Sequence, residues 1–381
     1  MRIEAVQTFL VADSLFVRVA TDTGICGWGQ TALWGFPDAA EVVLQSFRES
    51  LLGRNPLDRE RLWYENFRAQ PFRGSFLSGA IAAIDIALWD IAGQYFAVPC
   101  YRLMGGPVRD RIRLHLVMGS GWLERSASPA SVASEARQAV DMGFTALKFD
   151  PFLDGPDGFQ STSWARCLLN AVRVVEAVRE EVGWDVDLAF ELHRKFSVAE
   201  SAELYEALRK FHPYMIEDAL PPDSIAAWGS LPRTAISGTG ERLDTIWEFA
   251  DLIRTGAVDI LRPDVGEAGG ITHVLKIASL AEAFGLRLLC HNYVGPLVTL
   301  ATAHVYAATQ CVSTMEYTLL DERSPRCDLL EHSAVREGGY LLLPDSPGLG
   351  YSQVFLDTQP PYRRWAPHPL PSTLDGGLYL R

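Results

Sequence analysis

The stretch VDLAFELH, residues 186–193, is a short apolar run that ends in a carboxylate and an imidazole. Similar runs recur between residues 111 and 317, and most of them also end in a charged or polar residue: RLHLVMGSG, TALKFDP, YMIEDAL, TAISGTGE, VDILRPD, LRLLCHN and VSTMEY. Segments with helical spacing of apolar residues lie between them, for example SVAESAELYEALRKF. Apolar strands alternating with helices predict parallel βα units, and eight of them predict an α/β fold with a TIM-type barrel.

The polar residues at the ends of these predicted strands recur at a regular interval. Six of them form one series: Glu191, Glu217, Glu241, Asp264, His291 and Glu316. They are separated by 26, 24, 23, 27 and 25 residues, which is about the length of one βα unit. Each would therefore occupy the same level on a successive strand. We expect them to converge at the C-terminal mouth of the barrel, where TIM-barrel active sites lie.

Clustered carboxylates indicate a cation, because they repel one another unless a positive charge joins them. Ligation by oxygen alone suits a hard ion such as Mg²⁺, whereas zinc favours His or Cys ligands. His193 stands two residues beyond a plausible ligand and is better interpreted as a non-ligand. The metal would bind a substrate carboxylate and stabilise the charge that develops when the adjacent carbon loses its proton.

Two further pairs of residues have side chains suited to catalysis. Asp264 and His291 fall on neighbouring predicted strands, and a carboxylate beside an imidazole makes a general base. Lys148 and Asp150 share one face of the second predicted strand. Glu316, on the last strand, would present a carboxylic acid to the substrate carboxylate, a role that requires a protonated side chain.

The segment AFELHRKF, residues 189–196, adds a third group. If it is a strand, Glu191, His193 and Lys195 project from one face, because side chains alternate along a strand. An acid, a switchable base and a cation would then meet at one small surface.

The composition limits the classes of partner. With 381 residues, 48% of them hydrophobic, the chain can bury a barrel and a smaller companion domain. Its formal net charge of −13 argues against nucleic acids and anionic membranes. The N-terminus lacks the features of a secretory signal, no run approaches the roughly 20 apolar residues of a membrane span, and the scattered cysteines suit reduced thiols. We expect a cytoplasmic protein.

The order of these motifs resembles the mandelate racemase subgroup of the enolase superfamily over nearly the whole chain. The segments that carry the resemblance are AIAAIDIALWDIAGQYFAVPCYRLMGG, FELH, MIEDAL, SGTGERL, LRPDVGEAGGIT, CHNYVGP and STMEY. The resemblance implies an α+β capping domain over a (β/α)7β barrel, with Mg²⁺ and proton abstraction next to a carboxylate to give an enediolate. It implies that Glu191, Glu217 and Glu241 are the metal ligands and that His291 is the base held by Asp264.

The same resemblance divides the chain into three parts. Residues 1–110 would form the capping domain, residues 111–330 the catalytic barrel, and residues 331–381 a segment that returns to the capping domain. The family also suggests a homo-oligomer, either a dimer or an octamer.

The chain departs from the racemases of the subgroup at two strands. Where they carry Lys-x-Lys on the second strand, this sequence has Lys148-Phe149-Asp150, so the second lysine base is absent. On the third strand, His193 resembles the acid of acid-sugar dehydratases such as galactonate dehydratase. Those enzymes usually have Asp as the first ligand, Gly after the histidine and often Arg next. This chain has Glu191, Arg194 and Lys195.

These features predict an Mg²⁺-dependent dehydratase of an aldonate or aldarate that yields a 2-keto-3-deoxy acid. His291 would remove the C2 proton, His193 would protonate the departing 3-hydroxyl, and Lys195 would orient the substrate or tune His193. The alternative on the same scaffold is an epimerase, racemase or cycloisomerase, with His193 or Lys148 as a second base. An alternative of another class is a metal-stabilised binding or structural protein without chemistry.

Substrate contacts are predicted at two places. Asp150 and Lys195 would contact the substrate from the barrel. Trp34 in TALWGFPDA and Arg73 in AQPFRGSF would contact its distal end from the capping domain, and Arg73 would favour a diacid by pairing with a second carboxylate.

Overall fold

The first 110 residues form a small antiparallel sheet covered by helices. The computed structural model describes residues 1–119, 128–152, 163–332 and 334–363. The sheet has the order β1-β2-β3, with strands β1 Ile3–Val11, β2 Ser14–Thr21 and β3 Cys26–Thr31. The helices that follow are α1 Pro37–Leu51, α2 Arg59–Ala69, α3 Ser75–Tyr95 and α4 Cys100–Leu103.

Helix α3 is the core element of this part, since residues 77–93 are buried on every face. Strand β3 packs on it with unusually close approach. A Cβ built on Gly29 would stand 1.8 Å from the carbonyl oxygen of Ala83, so only glycine fits there. Among the described helices, α3 alone has the length and apolar composition of a membrane span, so the expectation that no run approaches such a span is wrong. Its burial identifies it as a core helix.

The described residues between 111 and 317 form eight parallel strands: β4 Arg111–Val117, β5 Ala146–Phe149, β6 Asp187–Glu191, β7 Met215–Glu217, β8 Ser237–Thr239, β9 Ile260–Leu261, β10 Arg287–Leu288 and β11 Met315–Tyr317. Strands β4 to β10 pair in chain order, and β11 pairs with β4. The Leu288 amide donates to Cys311 O at 3.0 Å and the Ser313 amide donates to Leu288 O at 2.9 Å, which joins β10 to the segment before β11. The sheet is a closed barrel, and the predicted TIM-type α/β fold is confirmed.

Helices connect these strands: α5 Pro129–Asp141, α6 Trp164–Val182, α7 Val198–Leu208, α8 Ile246–Arg254, α9 Gly270–Ala283 and α10 Pro296–Ala308. A 3₁₀ helix, Ile225–Ser230, stands between β7 and β8 in place of an α-helix. The remaining 3₁₀ turns are Leu33–Gly35, Arg209–Phe211, Leu319–Glu322, Arg326–Asp328 and Leu356–Thr358. Serine and threonine caps begin several of the helices, as at Ser197 and Thr245.

Strand β6 is shorter than predicted. It ends at Glu191, and the backbone turns left-handed at His193 (φ 48°) and Arg194 (φ 61°). The expectation of one strand through residues 189–196, with alternating side chains up to Lys195, is therefore wrong. The side chains beyond Glu191 are positioned by a turn.

The helical layer and the barrel are joined by hydrogen bonds between α2, α3 and the start of α9. Trp63 Nε1 donates to Gly269 O at 2.8 Å, and Trp89 Nε1 donates to Thr272 Oγ1 at 2.8 Å. The Thr272 amide and hydroxyl both donate to the buried carboxylate of Asp85, at 2.8 and 2.5 Å. These bonds hold α3 against the loop that follows β9.

The chain after the barrel returns to the N-terminal part. It contains the short strands β12 Leu330–Glu331, β13 Arg336–Glu337, β14 Tyr340–Leu342 and β15 Gln353–Val354. Strand β14 pairs antiparallel with β4. The Leu349 amide donates to Asp90 Oδ1 of α3 at 3.0 Å, and the Ala12 amide donates to Pro360 O at 2.9 Å. The boundaries at 110 and 330 stay predictions, and residues 364–381 lie outside the described part.

Candidate active site

Three glutamates stand at the same end of neighbouring strands. Glu191 and Glu217 are the last residues of β6 and β7 and are paired across the ladder. Glu241 follows β8 by two residues. Their side chains are 5%, 0% and 14% exposed, so the carboxylates are largely removed from water. Carboxylates this deeply buried require compensating charge.

Two buried cations supply part of that charge. Lys148 Nζ lies 3.2 Å from Glu191, 2.9 Å from Glu217 and 2.6 Å from Glu316. The guanidinium of Arg262 lies 2.7 Å from both Glu217 and Glu316. Burial by itself favours the neutral forms of both bases, but the carboxylates outweigh it and raise the pKa of Lys148 and of Arg262. Both side chains therefore stay positively charged.

A third cation, Arg194, holds the remaining glutamate. Its NH1 atom lies 2.7 Å from Glu241 Oε1 and 2.7 Å from Asp218 Oδ2. Burial would raise the pKa of Glu241, yet the charges of His291 and Arg194 lower it to about 2. Glu241 is ionised and paired.

The predicted dyad residues are in direct contact. His291 Nδ1 lies 2.5 Å from Asp264 Oδ2, while Asp264 Oδ1 accepts a hydrogen bond from the Gly266 amide at 2.6 Å. His291 Nε2 faces the carboxylates of Glu241 and Glu316 at 3.7 and 3.8 Å. Burial favours the neutral imidazole, but Glu241, Asp264 and Glu316 raise the pKa of His291 to about 10. At neutral pH these carboxylates hold the ring as the imidazolium, and a cation bound at Glu241 would lower this pKa and free Nε2 to accept a proton.

His193 lies against a second carboxylate. Its Nδ1 atom is 2.7 Å from Asp150 Oδ2, the same oxygen that accepts a hydrogen bond from Lys195 Nζ. The His193 side chain is 46% exposed, and its amide donates to Glu191 Oε1 at 2.9 Å. The structure thus brings Asp150, His193 and Lys195 together beside the carboxylate cluster.

Glu316 is held by four donors rather than presented as an acid. The Asn292 amide donates to Oε1 at 3.1 Å, and His115 Nε2 lies 3.4 Å from Oε2, in addition to Lys148 and Arg262. Burial would raise the pKa of Glu316, but Lys148 and Arg262 keep it well below its usual range. These contacts favour the ionised carboxylate, so the protonated side chain that its predicted role requires is not supported.

The predicted substrate contact Arg73 is not brought to this cluster. Arg73 is exposed; among the described residues its contacts are to the ring of Phe67, at 4.5 Å from the centroid, and to Gln70 O, at 3.4 Å. The Trp34 side chain lies outside the described residues.

Several residues of the site were not predicted. Arg262, Asp218 and His115 are buried, and Arg262 and His115 both contact Glu316. The signal for Arg262 was present, because it stands two residues before Asp264 in a strand-like run and would share its face. Burial lowers the pKa of His115 to about 4, so this ring is a neutral hydrogen-bonding partner.

Comparisons with known proteins identify the family. Residues 131–353 match the model of the enolase C-terminal domain-like family. Residues 3–105 match the model of the mandelate racemase/muconate lactonizing enzyme N-terminal domain. The chain belongs to the enolase superfamily. The resemblance inferred from the strand-end motifs is confirmed, and the order of the two matched domains is the order along this chain.

Named relatives within the superfamily are dehydratases. A D-xylonate dehydratase of Haloferax volcanii is 34% identical over 91% of this chain and 85% of its own. A D-galactonate dehydratase of Verminephrobacter eiseniae is 35% identical over 80% of this chain and 78% of its own. A crystal structure of a candidate galactarate dehydratase from Agrobacterium radiobacter, with bound sodium and L-malate, superposes with a TM-score of 0.91 at 28% identity, covering both chains completely.

The donor set suits a hard divalent cation by its chemistry and charge. Eight residues form one ion-paired set, which we call the strand-end cluster: Glu191, Glu217, Glu241, Asp218, Glu316, Lys148, Arg194 and Arg262. Its five carboxylates exceed its three cations by two charges, and burial together with Glu191 raises the pKa of Glu217 despite Arg262. In the described part of the chain no three potential ligands are gathered around one point, since Glu241 is bonded to Arg194 while Glu191 and Glu217 share Lys148. The composition fits Mg²⁺, and binding would require Glu241 to exchange partners.

Proposed function

We propose that this protein is a dehydratase of aldonic or aldaric acids that yields 2-keto-3-deoxy acids. The observation that carries the proposal is a pair of histidines, His291 and His193, each bonded to its own carboxylate beside one cluster of buried carboxylates. β-Elimination needs a base at C2 and an acid at C3, and two histidines from the segments that follow β6 and β10 supply them. Relatives named as D-xylonate and D-galactonate dehydratases support this reaction class.

His291 is proposed as the base. Asp264 fixes its Nδ1–H, which leaves Nε2 to take the proton from C2 of the substrate. The Gly266 amide holds the other oxygen of Asp264, so the carboxylate is oriented on both sides. When a proton moves to Nε2, the resulting imidazolium is stabilised by Asp264, Glu241 and Glu316.

His193 is proposed as the acid. Asp150 orients its ring through Nδ1, so that Nε2 is the atom that donates to the substrate. The electron pair left at C2 forms the C2–C3 double bond, the C3–O bond breaks, and the departing hydroxyl takes the proton from His193 and leaves as water. The enol product then tautomerises to the 2-keto-3-deoxy acid. Lys195 shares Asp150 and would moderate its hold on His193.

Glu191, Glu217 and Glu241 are the proposed ligands of Mg²⁺. When bound, the ion would offset the negative charge that develops on the substrate carboxylate as the C2 proton leaves. Lys148 adds a fixed positive charge among the same carboxylates. We assign Glu316 a revised role as an ionised carboxylate that anchors Lys148 and Arg262.

An epimerase is the second candidate, and one observation favours it. His193–Asp150 repeats the pairing of His291–Asp264, so either histidine has the carboxylate partner of a base. Two such bases on opposite faces of C2 would invert that carbon without loss of water.

The test is a reaction panel of five- and six-carbon aldonic and aldaric acids, followed as 2-keto-3-deoxy acid, with Mg²⁺ or with EDTA. We expect Mg²⁺-dependent product from at least one acid, and none from the Glu217→Gln or Glu241→Gln variants. Those variants should also lose the rise in melting temperature that Mg²⁺ gives the unchanged protein. Full activity in either variant would rule out the proposed ligands, and epimerised substrate without product would favour the second candidate.

We propose the cellular location and the assembly of the enzyme from its composition and family. The acidic chain and its resemblance to metabolic enzymes support a cytoplasmic homo-oligomer acting on a small carboxylate.

A further inference from the structure

We propose that Arg194 competes with the divalent cation for Glu241 and thereby sets the metal affinity of the site. This inference rests on the metal site of the proposed function. It concerns a residue to which that function assigns no part.

Arg194 is fixed between two carboxylates. One nitrogen, NH1, lies 2.7 Å from both Glu241 Oε1 and Asp218 Oδ2, and the side chain is 12% exposed. The Arg194 amide also donates to Asp218 O at 2.7 Å, so backbone and side chain are held by the same residue. Because Asp218 keeps this double contact, the guanidinium retains a partner when Glu241 turns to an ion.

The backbone conformation at this position does not favour arginine. The φ of 61° lies in the left-handed region, where a Cβ is unfavourable and glycine is preferred. A residue kept there against this preference is held by its contacts, and the Arg194 side chain is ion-paired with Asp218 and Glu241.

Charge balance gives the direction of the effect. With all five carboxylates ionised, the strand-end cluster has two excess negative charges, which one divalent ion neutralises. Without Arg194 the excess would be three, and Glu241 would have no permanent cation within 3 Å among the described ion pairs. Removing the guanidinium should therefore strengthen binding of a cation rather than weaken it.

Arg242, the residue after Glu241, is a matched control for Arg194. Arg242 Nε is 3.7 Å from the same Glu241 oxygen, but its side chain is 49% exposed. Water screens its charge, so its removal should have little effect on the cluster.

The experiment is calorimetric titration of Mg²⁺ into chelator-stripped protein without substrate. Arg194→Met keeps side-chain volume without charge, Arg194→Gly removes the charge and suits the left-handed backbone, and Arg194→Lys keeps the charge. We expect the Met and Gly variants to bind Mg²⁺ about tenfold more tightly, a modest effect for one neighbouring buried charge. The Lys variant and Arg242→Met should stay within about threefold of the unchanged protein.

The outcomes separate the two proposals. Unchanged or weaker binding in both Arg194→Met and Arg194→Gly, with normal binding in the unchanged protein, would overturn the competition. Absence of binding in the unchanged protein would overturn the metal site itself. Because the readout is equilibrium binding, loss of activity for another reason does not affect the result.

Discussion

Asp150 is the residue through which the proposed acid is oriented. Its Oδ2 accepts from His193 Nδ1 at 2.7 Å and from Lys195, so it fixes both groups with one oxygen. Burial would raise the pKa of Asp150, but Lys195 and His193 lower it, and the side chain is ionised at neutral pH. The imidazole thereby has a fixed tautomer.

We expect Asp150→Asn to lower kcat for dehydration by about 10- to 100-fold, as for other partners that orient a functional histidine. Removal of the C2 proton by His291 should persist, because Asp264 is unaffected. The measurement is steady-state formation of the 2-keto-3-deoxy acid. Asp187→Asn, at the other end of β6 in a half-buried pair with Arg113, should be close to the unchanged protein. Equal kcat in both variants would remove Asp150 from the mechanism.

Arg262 supports the cluster from inside the barrel. It is fully buried and lies 2.7 Å from Glu217 and from Glu316. Replacing it with Met would leave two buried carboxylates short of a cation, so we expect Arg262→Met to lower the free energy of unfolding by about 3–5 kcal/mol. Urea unfolding without metal measures this, with Arg262→Lys as the charge-conserving control. A loss below about 1 kcal/mol would show that the ion pairs contribute little.

Regular spacing was sufficient to predict the strand-end series of glutamates and the dyad, because each βα unit adds nearly constant length. It was not sufficient for Arg262 or Asp218. The role of Arg262 follows from its contact with Glu217, and the role of Asp218 follows from its contact with Arg194. Both contacts join residues that are distant in sequence. The ionised state of Glu316 likewise depends on Lys148 and Arg262, which are distant in sequence.

At the scale of elements, the turn after β6 shows where strand alternation fails. Glu191 ends the strand, and His193 and Arg194 adopt left-handed backbone. No glycine or proline marks this turn in the sequence, so alternation wrongly predicted a strand to Lys195. His193 and Lys195 still meet, because both reach Asp150 after β5.

The junction between α3 and α9 gives a prediction about stability. Thr272 donates twice to Asp85 and accepts from Trp89 Nε1. We expect Thr272→Val to lower the free energy of unfolding by about 1–3 kcal/mol, because it leaves buried polar atoms unpaired. Ser279→Ala, on the exposed side of α9, is the matched control and should change it by less than about 0.5 kcal/mol. Equal unfolding midpoints for the two variants would contradict this role.

For the whole molecule, three buried histidines make folding sensitive to acid. Burial lowers the pKa of His273 to about 3 and the pKa of both His115 and His304 to about 4, from an ordinary value of 6.5. The unfolded chain therefore takes up protons below pH 6.5 while the folded protein does not. Their contribution is complete above pH 6.5 and is lost as the pH falls toward 4.

His304→Asn tests this dependence, since it removes one titrating ring and keeps an acceptor for the Tyr101 amide. The fall in unfolding free energy between pH 7.5 and pH 5 should be smaller than in the unchanged protein by about 1–2 kcal/mol. Urea titrations at the two pH values measure it. An equal fall in both proteins would mean that His304 protonates in the folded state as readily as in the unfolded chain.

The architecture as a whole was accessible from sequence, because eight apolar runs separated by helical segments permit few arrangements. The two backbone hydrogen bonds that close the barrel between β10 and β11 were not accessible, because they lie beside very short strands. The distal substrate contacts were also inaccessible. The exposed Arg73 lies over the ring of Phe67, and the residues around Arg73 in the sequence do not indicate this contact.

The assignment of His291 as the base and His193 as the acid is tested most directly by proton NMR in D₂O with Mg²⁺ and the best substrate of the panel. We expect His193→Asn to place deuterium at C2 while forming no 2-keto-3-deoxy acid, because His291 still removes the proton. His291→Asn should do neither, and the unchanged protein should give product with deuterium at C3. Dehydration by His193→Asn at the rate of the unchanged protein would contradict the assignment of His193 as the acid.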